Sequence, residues 1–213
     1  MSKLAKFWEN EVPAAWRHSL SKMSDKKKQR IIKRVNDHLL KRLNFEEIHD
    51  ILDWGCGGGL LTQELLKRGK VSIVDISIKS LTETSKRCPT LTYSQIAPIN
   101  NIEHYDYQGK TPDLLFSNEV IQHFPSLDYF KNIRDLWTRK ISPTYFALQI
   151  KIDDKTHESQ NYYTGKNYLN GLRFRVKDFQ QYFEEEGYKL KSFEKCNSPN
   201  GNVELGYFIF KKN

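Results

Sequence analysis

Short apolar runs rich in β-branched residues alternate along this chain with longer stretches in which apolar residues return every three or four positions. The first pattern has the period of strands and the second that of amphipathic helices. The run Ile48-His49-Asp50-Ile51-Leu52 predicts a first strand closing on Asp53, and Leu60 to Arg68 a helix. Lys70 to Ile76 reads as the second strand, Ile78 to Cys88 as a helix ended by Pro89, and Leu91 to Ile96 as the third strand. Asp113 to Asn118 predicts a fourth strand, Leu127 to Lys140 an amphipathic helix, and Thr144 to Ile150 a fifth strand. Val176 to Glu186 is a helix closed by Gly187. Tyr188 to Phe193 and Val203 to Phe210 are strands joined through Asn197-Ser198-Pro199-Asn200-Gly201. Upstream, Ser24 or Asp25 caps a helix along which Ile31, Ile32, Val35, Leu39, Leu40 and Leu43 recur at helical spacing. The alternation is that of an α/β fold, without repeats or low-complexity segments.

The junction after the first strand carries the chemistry. Asp53-Trp54-Gly55-Cys56-Gly57-Gly58-Gly59 ends a strand in a carboxylate, turns through glycines and opens a helix. Glycines at alternate positions let the backbone turn tightly and let a ligand approach without meeting a Cβ. Three cofactor readings compete. A P-loop needs Gly-Lys-Ser/Thr at its end, and no lysine follows these glycines. A dinucleotide fingerprint places Leu60 where close helix–strand packing wants a small residue, which weakens NAD. The third is Asp-x-Gly-x-Gly-x-Gly, with the acid ahead of the glycines. A second acid, Asp75, ends the second strand 20 residues beyond Gly55, the spacing of a carboxylate that accepts both hydroxyls of a ribose.

With these residues the chain resembles the class I S-adenosylmethionine-dependent methyltransferases. The resemblance implies a doubly wound, mostly parallel seven-stranded sheet over about residues 45–212, with an antiparallel last strand and helices on both faces. It implies that Asp53 lies near the cationic amino end of the cofactor's methionine, and that Gly55, Cys56, Gly57 and Gly59 pass beneath the ribose. It also implies that Asp75 holds the ribose and that Ile76 packs on adenine. Many members carry an acid after the third strand; this chain has Gln95-Ile96-Ala97-Pro98, so Gln95 or a backbone group stands in as the acceptor there. The run Asn118-Glu119-Val120-Ile121-Gln122-His123-Phe124-Pro125 resembles the family's next signature, with Asn118 and Glu119 as cofactor contacts. The Asn/Asp-Pro-Pro-Tyr/Phe run of enzymes that methylate exocyclic amines or amides is missing from it.

Methyl transfer from a sulfonium is an in-line displacement, so the enzyme aligns the nucleophile and excludes water. An alcohol acceptor also loses a proton, and His123 is the candidate general base, with a turn-capping structural histidine as the other reading. An amine acceptor needs only to arrive deprotonated. His104 is a weaker candidate.

Composition sets the remaining bounds. The 213 residues suffice for one α/β domain, and mean hydropathy is −0.69, with no apolar run of membrane-spanning length. The N-terminus lacks a signal-peptide core, which gives an expected cytoplasmic location. Cys56, Cys88 and Cys196 have neither metal-ligand nor disulfide spacing and read as free thiols. Residues 1–44 carry 12 Lys/Arg against 4 Asp/Glu, which is the whole of the +8 net charge; the remainder is balanced. This N-terminal extension is expected as a basic helical segment ahead of the cofactor-binding domain at 45–213. It reads either as a solvated face or as an attractor of an anionic metabolite, a nucleic-acid backbone or an acidic membrane surface. By the resemblance Phe7, Trp8 and Trp16 are lid residues, with packing anchors as the alternative. The long polar stretch from Lys151 to Gly165 offers Tyr162 and Tyr163, with Tyr168 just beyond, as acceptor-pocket residues or as mere surface loop. The expected activity is methylation of an oxygen or nitrogen of a small metabolite. An RNA or protein methyltransferase that uses the basic helix is the runner-up, and a non-catalytic cofactor-binding partner is third.

Overall fold

The structure, a computed structural model, describes residues 23–97, 105–158, 171–198 and 203–213. Its helices are α1 (Asp25–His38), α2 (Leu60–Leu66), α3 (Ile78–Arg87), α4 (Leu127–Asp135) and α5 (Val176–Glu184). Its strands are β1 (Asp50–Trp54), β2 (Lys70–Asp75), β3 (Tyr93–Ile96), β4 (Leu114–Ser117) and β5 (Tyr145–Ile152), then β6 (His157–Glu158), β7 (Leu172–Arg173), β8 (Tyr188–Asn197) and β9 (Glu204–Lys212). Seven strands form one sheet in the order β3-β2-β1-β4-β5-β9-β8. β1 runs parallel to β2 and β4, with Asp53 opposite Ile73 and Phe116, and β2 runs parallel to β3. β9 is antiparallel to both β5 and β8. This is the mostly parallel seven-stranded sheet with an antiparallel last strand that the resemblance implies.

The chain forms two compact units, one through Phe116 and one from Ser117. In the first, Ser24 caps α1 by accepting the Lys27 N–H, and the helix gives way at Leu39 to a 3-10 turn, Leu40–Arg42. Val35, Leu39 and Leu40 are buried, and the opposite face exposes Lys26, Lys27, Arg30 and Lys33. The strands bury Ile51, Leu52, Val71, Ile73, Val74 and Leu114, which is why these short runs carry branched aliphatics. Both α2 and α3 pack on β2.

The second unit has an aromatic core built on β5, α5, β8 and β9. Phe146, Phe179, Phe183, Tyr188, Phe208 and Phe210 are buried, and Phe183 stacks on Phe210 with centroids 4.6 Å apart. Two local expectations change here. The helix predicted from Leu127 to Lys140 is α-helical only to Asp135. It continues as a π-turn, Leu136–Ile141, in which the Ser142 N–H reaches Trp137 O at 2.8 Å and the left-handed Ser142 (φ 55°) ends it. The stretch expected to be loop after Ile150 continues β5 to Ile152 and then forms β6, which pairs antiparallel with β7. A two-residue ladder is too short to show periodicity in sequence.

Candidate functional site

In the first unit, β1 delivers Asp53 and Trp54 to the glycine turn. Asp53 is 2% exposed, and its Oδ2 accepts the Thr62 hydroxyl at 2.6 Å. Burial raises its carboxyl from 3.8 to about 7; the Thr62 hydrogen bond opposes the rise and the neighbouring Asp75 adds to it. Asp75 closes β2. Its Oδ2 accepts the Gly57 N–H at 2.9 Å and its Oδ1 the Ser77 N–H at 2.9 Å. The Cys56 thiol stands 3.9 Å from the same Oδ2, and burial first, then Asp75 and Asp53, push its pKa well up. Asp75 therefore does two things at once. It pins the turn to the end of β2 through the Gly57 N–H, and it fixes the start of the next segment through the Ser77 N–H.

The turn is also held from α3. Thr84 Oγ1 donates to Gly57 O at 2.8 Å and Arg87 Nε to Gly58 O at 3.0 Å. Residues 84 and 87 lie on one helix face, so their spacing carried a signal that the sequence reading missed. Gly59 caps α2 at φ 83°, and a Cβ there would meet Thr84 Oγ1 at 3.0 Å. Packing against α3 and the left-handed backbone thus require this glycine, independently of any ligand. Ile76 is half-buried beside Asp75. The Gln95 amide is already engaged: Oε1 accepts the Tyr93 hydroxyl at 2.8 Å and the Gln108 N–H at 3.3 Å, while Nε2 donates to Asp106 O at 2.9 Å. Its sequence position suggested a ligand contact; in the fold it ties β3 to residues 106–108.

In the second unit, β4 ends at the buried Ser117 and the chain enters the loop Asn118–Phe124. Glu119 is left-handed at φ 59°. Its N–H donates to Gln149 Oε1 at 2.7 Å, and Gln149 Nε2 donates to Ile150 O at 2.8 Å. Gln149, 1% exposed, is the amide in an otherwise apolar stretch of β5. A 3-10 turn, Ile121–His123, follows, with the His123 N–H on Val120 O at 2.8 Å; His123 itself is half-buried. Desolvation and Arg173 push the Lys151 ammonium down, and Glu119 pulls it back up. Trp8, Trp16, His104, Tyr162, Tyr163 and Tyr168, together with Phe7, lie outside the described residues. Among the described residues no group of three or more His, Cys, Asp or Glu is placed to hold a metal ion, Cys56, Cys88 and Cys196 are free, and no helix is long and apolar enough to cross a membrane.

Residues 51–139 match the family model described as a methyltransferase domain. The fold places the glycine turn, Asp75 and β4 within that span. The fold is that of the class I methyltransferases. A solved structure similar to it is magnesium protoporphyrin IX methyltransferase from Synechocystis PCC 6803, at TM-score 0.71 and 14% identity over 99% of this chain and 98% of that one. That protein has been crystallised with S-adenosylhomocysteine and with S-adenosylmethionine, the cofactor of the methyltransferase family. Another is the 1,6-didemethyltoxoflavin N1-methyltransferase of Burkholderia thailandensis, at TM-score 0.65 and 12% identity over 92% of this chain and 82% of that one. Among curated proteins, a malonyl-[acyl-carrier protein] O-methyltransferase of Ilyobacter polytropus is 31% identical over 100 residues. That match covers 41% of this chain and only 35% of the relative's length. The two buried acids and the glycine turn lie within the matched residues.

Proposed function

We propose that this domain transfers the methyl group of S-adenosylmethionine to an oxygen or nitrogen of a small metabolite. The observation that carries the reading is Asp75, buried at the end of β2 with one oxygen on the Gly57 N–H and the other on the Ser77 N–H. A carboxylate held at a strand end in this way suits the hydroxyls of a vicinal diol, and a 2′-phosphate would be repelled. Asp53, beneath the same turn, supplies the negative end that a ligand ammonium needs. In the reaction, the acceptor's lone pair forms a bond to the methyl carbon as the S–CH3 bond breaks, and that electron pair stays on sulfur. A hydroxyl acceptor passes its proton to His123, whereas a neutral amine sheds it to solvent after transfer. Calorimetry with S-adenosylhomocysteine tests the reading. Micromolar-range binding is the expected result, and no measurable heat at millimolar ligand would sink it.

A second reading, a macromolecular acceptor, has one observation in its favour: the exposed Lys26, Lys27 and Arg30 of α1. The named relative acts on a malonyl group borne by a carrier protein. Turnover that collapses between 50 and 200 mM salt favours this reading, and a flat response favours the free metabolite.

A further inference from the structure

The loop after β4 is fixed at both ends and carries an acceptor to which no described residue donates. Gln122, in the middle of the 3-10 turn, is 6% exposed, and its Oε1 meets no hydrogen-bond partner among the described residues. A buried carbonyl in that condition has given up its hydration without a compensating hydrogen bond from any described residue. Relaxation of the loop would be the ordinary remedy, but the loop is held. Upstream, Gln149 accepts the N–H of the left-handed Glu119. At Gln122 itself, the backbone oxygen accepts the Gly171 N–H at 2.8 Å, and β5 and β7 both pack against the turn. The neighbouring Asn118 repeats the condition, its buried Oδ1 likewise without a donor among the described residues. An unrelieved polar cost in a loop that is tied down on both sides, with Glu119 held in the left-handed region, is what a preorganised ligand contact looks like.

We propose that Gln122 is a specificity-determining residue whose Oε1 accepts a hydrogen bond from an N–H or O–H of the methyl acceptor. The inference rests on the methyltransferase reading above. Gln122 adjoins His123, the group assigned to the acceptor's proton, and a carbonyl selects a donor. The acceptor class is therefore a primary or secondary amine, an amide or a hydroxyl compound, and a tertiary amine or an ionised carboxylate without a further donor is excluded. A site built around a hydrogen bond rejects the analogue that lacks it far more strongly than an apolar pocket rejects a misfit.

The test compares the full-length wild type with Gln122→Leu, or Gln122→Met should the leucine variant not fold, and with Gln122→Glu, which keeps an acceptor oxygen. Three readouts are taken: melting temperature, S-adenosylhomocysteine affinity, and kcat/KM from labelled S-adenosylmethionine on a panel of small amines, phenols and hydroxy acids. Gln122→Leu is expected to melt at or above the wild-type temperature and to bind S-adenosylhomocysteine as the wild type does. On every panel compound that the wild type methylates, it should lose roughly tenfold to a hundredfold in kcat/KM. Gln122→Glu should stay within a few-fold of wild type. A melting temperature several degrees lower for both apolar variants means that the carbonyl has its partner inside the protein, and overturns the proposal with or without a panel hit. Weakened S-adenosylhomocysteine binding reassigns the residue to the cofactor and overturns it too, as does unchanged kcat/KM. A wild type that binds no S-adenosylhomocysteine removes the methyltransferase reading and this inference with it; a wild type that binds while the variants fail any arm removes this inference alone.

Discussion

Two carboxylates divide the work of the glycine turn. Asp75→Ala removes the acceptor proposed for the ribose and also frees the Gly57 and Ser77 N–H groups, so its effect exceeds a simple contact deletion. S-adenosylhomocysteine affinity by calorimetry should fall by at least the ~1.5–3 kcal/mol of a charge-assisted hydrogen bond. Asp53 behaves differently because burial lifts its carboxyl to about 7. The folded chain keeps a proton there that the unfolded chain releases near 3.8, so this group's contribution is full below that value and is lost as pH rises to about 7. Thermal melts of ligand-free protein should therefore show stability declining from pH 4 to 7, with Asp53→Asn flattening the decline. A bound ammonium favours the ionised form, so wild-type affinity for S-adenosylhomocysteine should rise from pH 6 to 8 and that of Asp53→Asn should not. Asp75 was legible from a spacing of 20 residues, since that distance reflects one strand-helix-strand unit. Gln122 and Gln149 were not. A lone amide in Tyr145–Ile152 stands out from its apolar neighbours, yet which N–H it meets depends on a loop 30 residues away.

At the scale of elements, period and turn chemistry placed the long helices and sheet strands among the described residues to within a few positions, because most of them bury a continuous apolar face. The failures are short or change register. The π-turn after α4 keeps the amphipathic pattern while its hydrogen bond lengthens to five residues, and pattern alone cannot see that change. The turn between β1 and α2 offers a sharper test of why a glycine stands where it does. Gly59 and Gly187 share nearly the same left-handed φ, 83° and 82°, but a Cβ meets Thr84 at the first and nothing within 4 Å at the second. Gly187→Ala should cost only the backbone term, about 1 kcal/mol or somewhat more. Gly59→Ala should cost clearly more, and differential scanning calorimetry of the two variants isolates the packing of α3 on the loop.

For the whole molecule, a ligand that binds only the folded chain stabilises it by mass action. S-adenosylhomocysteine at a hundred times its dissociation constant contributes about 2.7 kcal/mol, so the melting temperature of a chain this size should rise by roughly 5–10 °C. A thermal-shift assay checks this, and adenosine alone should give less. The fold class followed from alternation and two motifs, whereas the acceptor pocket depends on loop contacts that no local pattern encodes. The three free thiols differ in depth, with Cys196 half-exposed, Cys56 buried against Asp75 and Cys88 buried at the C-terminal end of α3. A thiol walled in beside a carboxylate, with its ionisation pushed up, meets an alkylating reagent only when its surroundings open. The rate at which Cys56 is labelled, read by mass spectrometry after Cys196 has been capped, is therefore a clock for the opening of the glycine turn, and it needs no introduced probe.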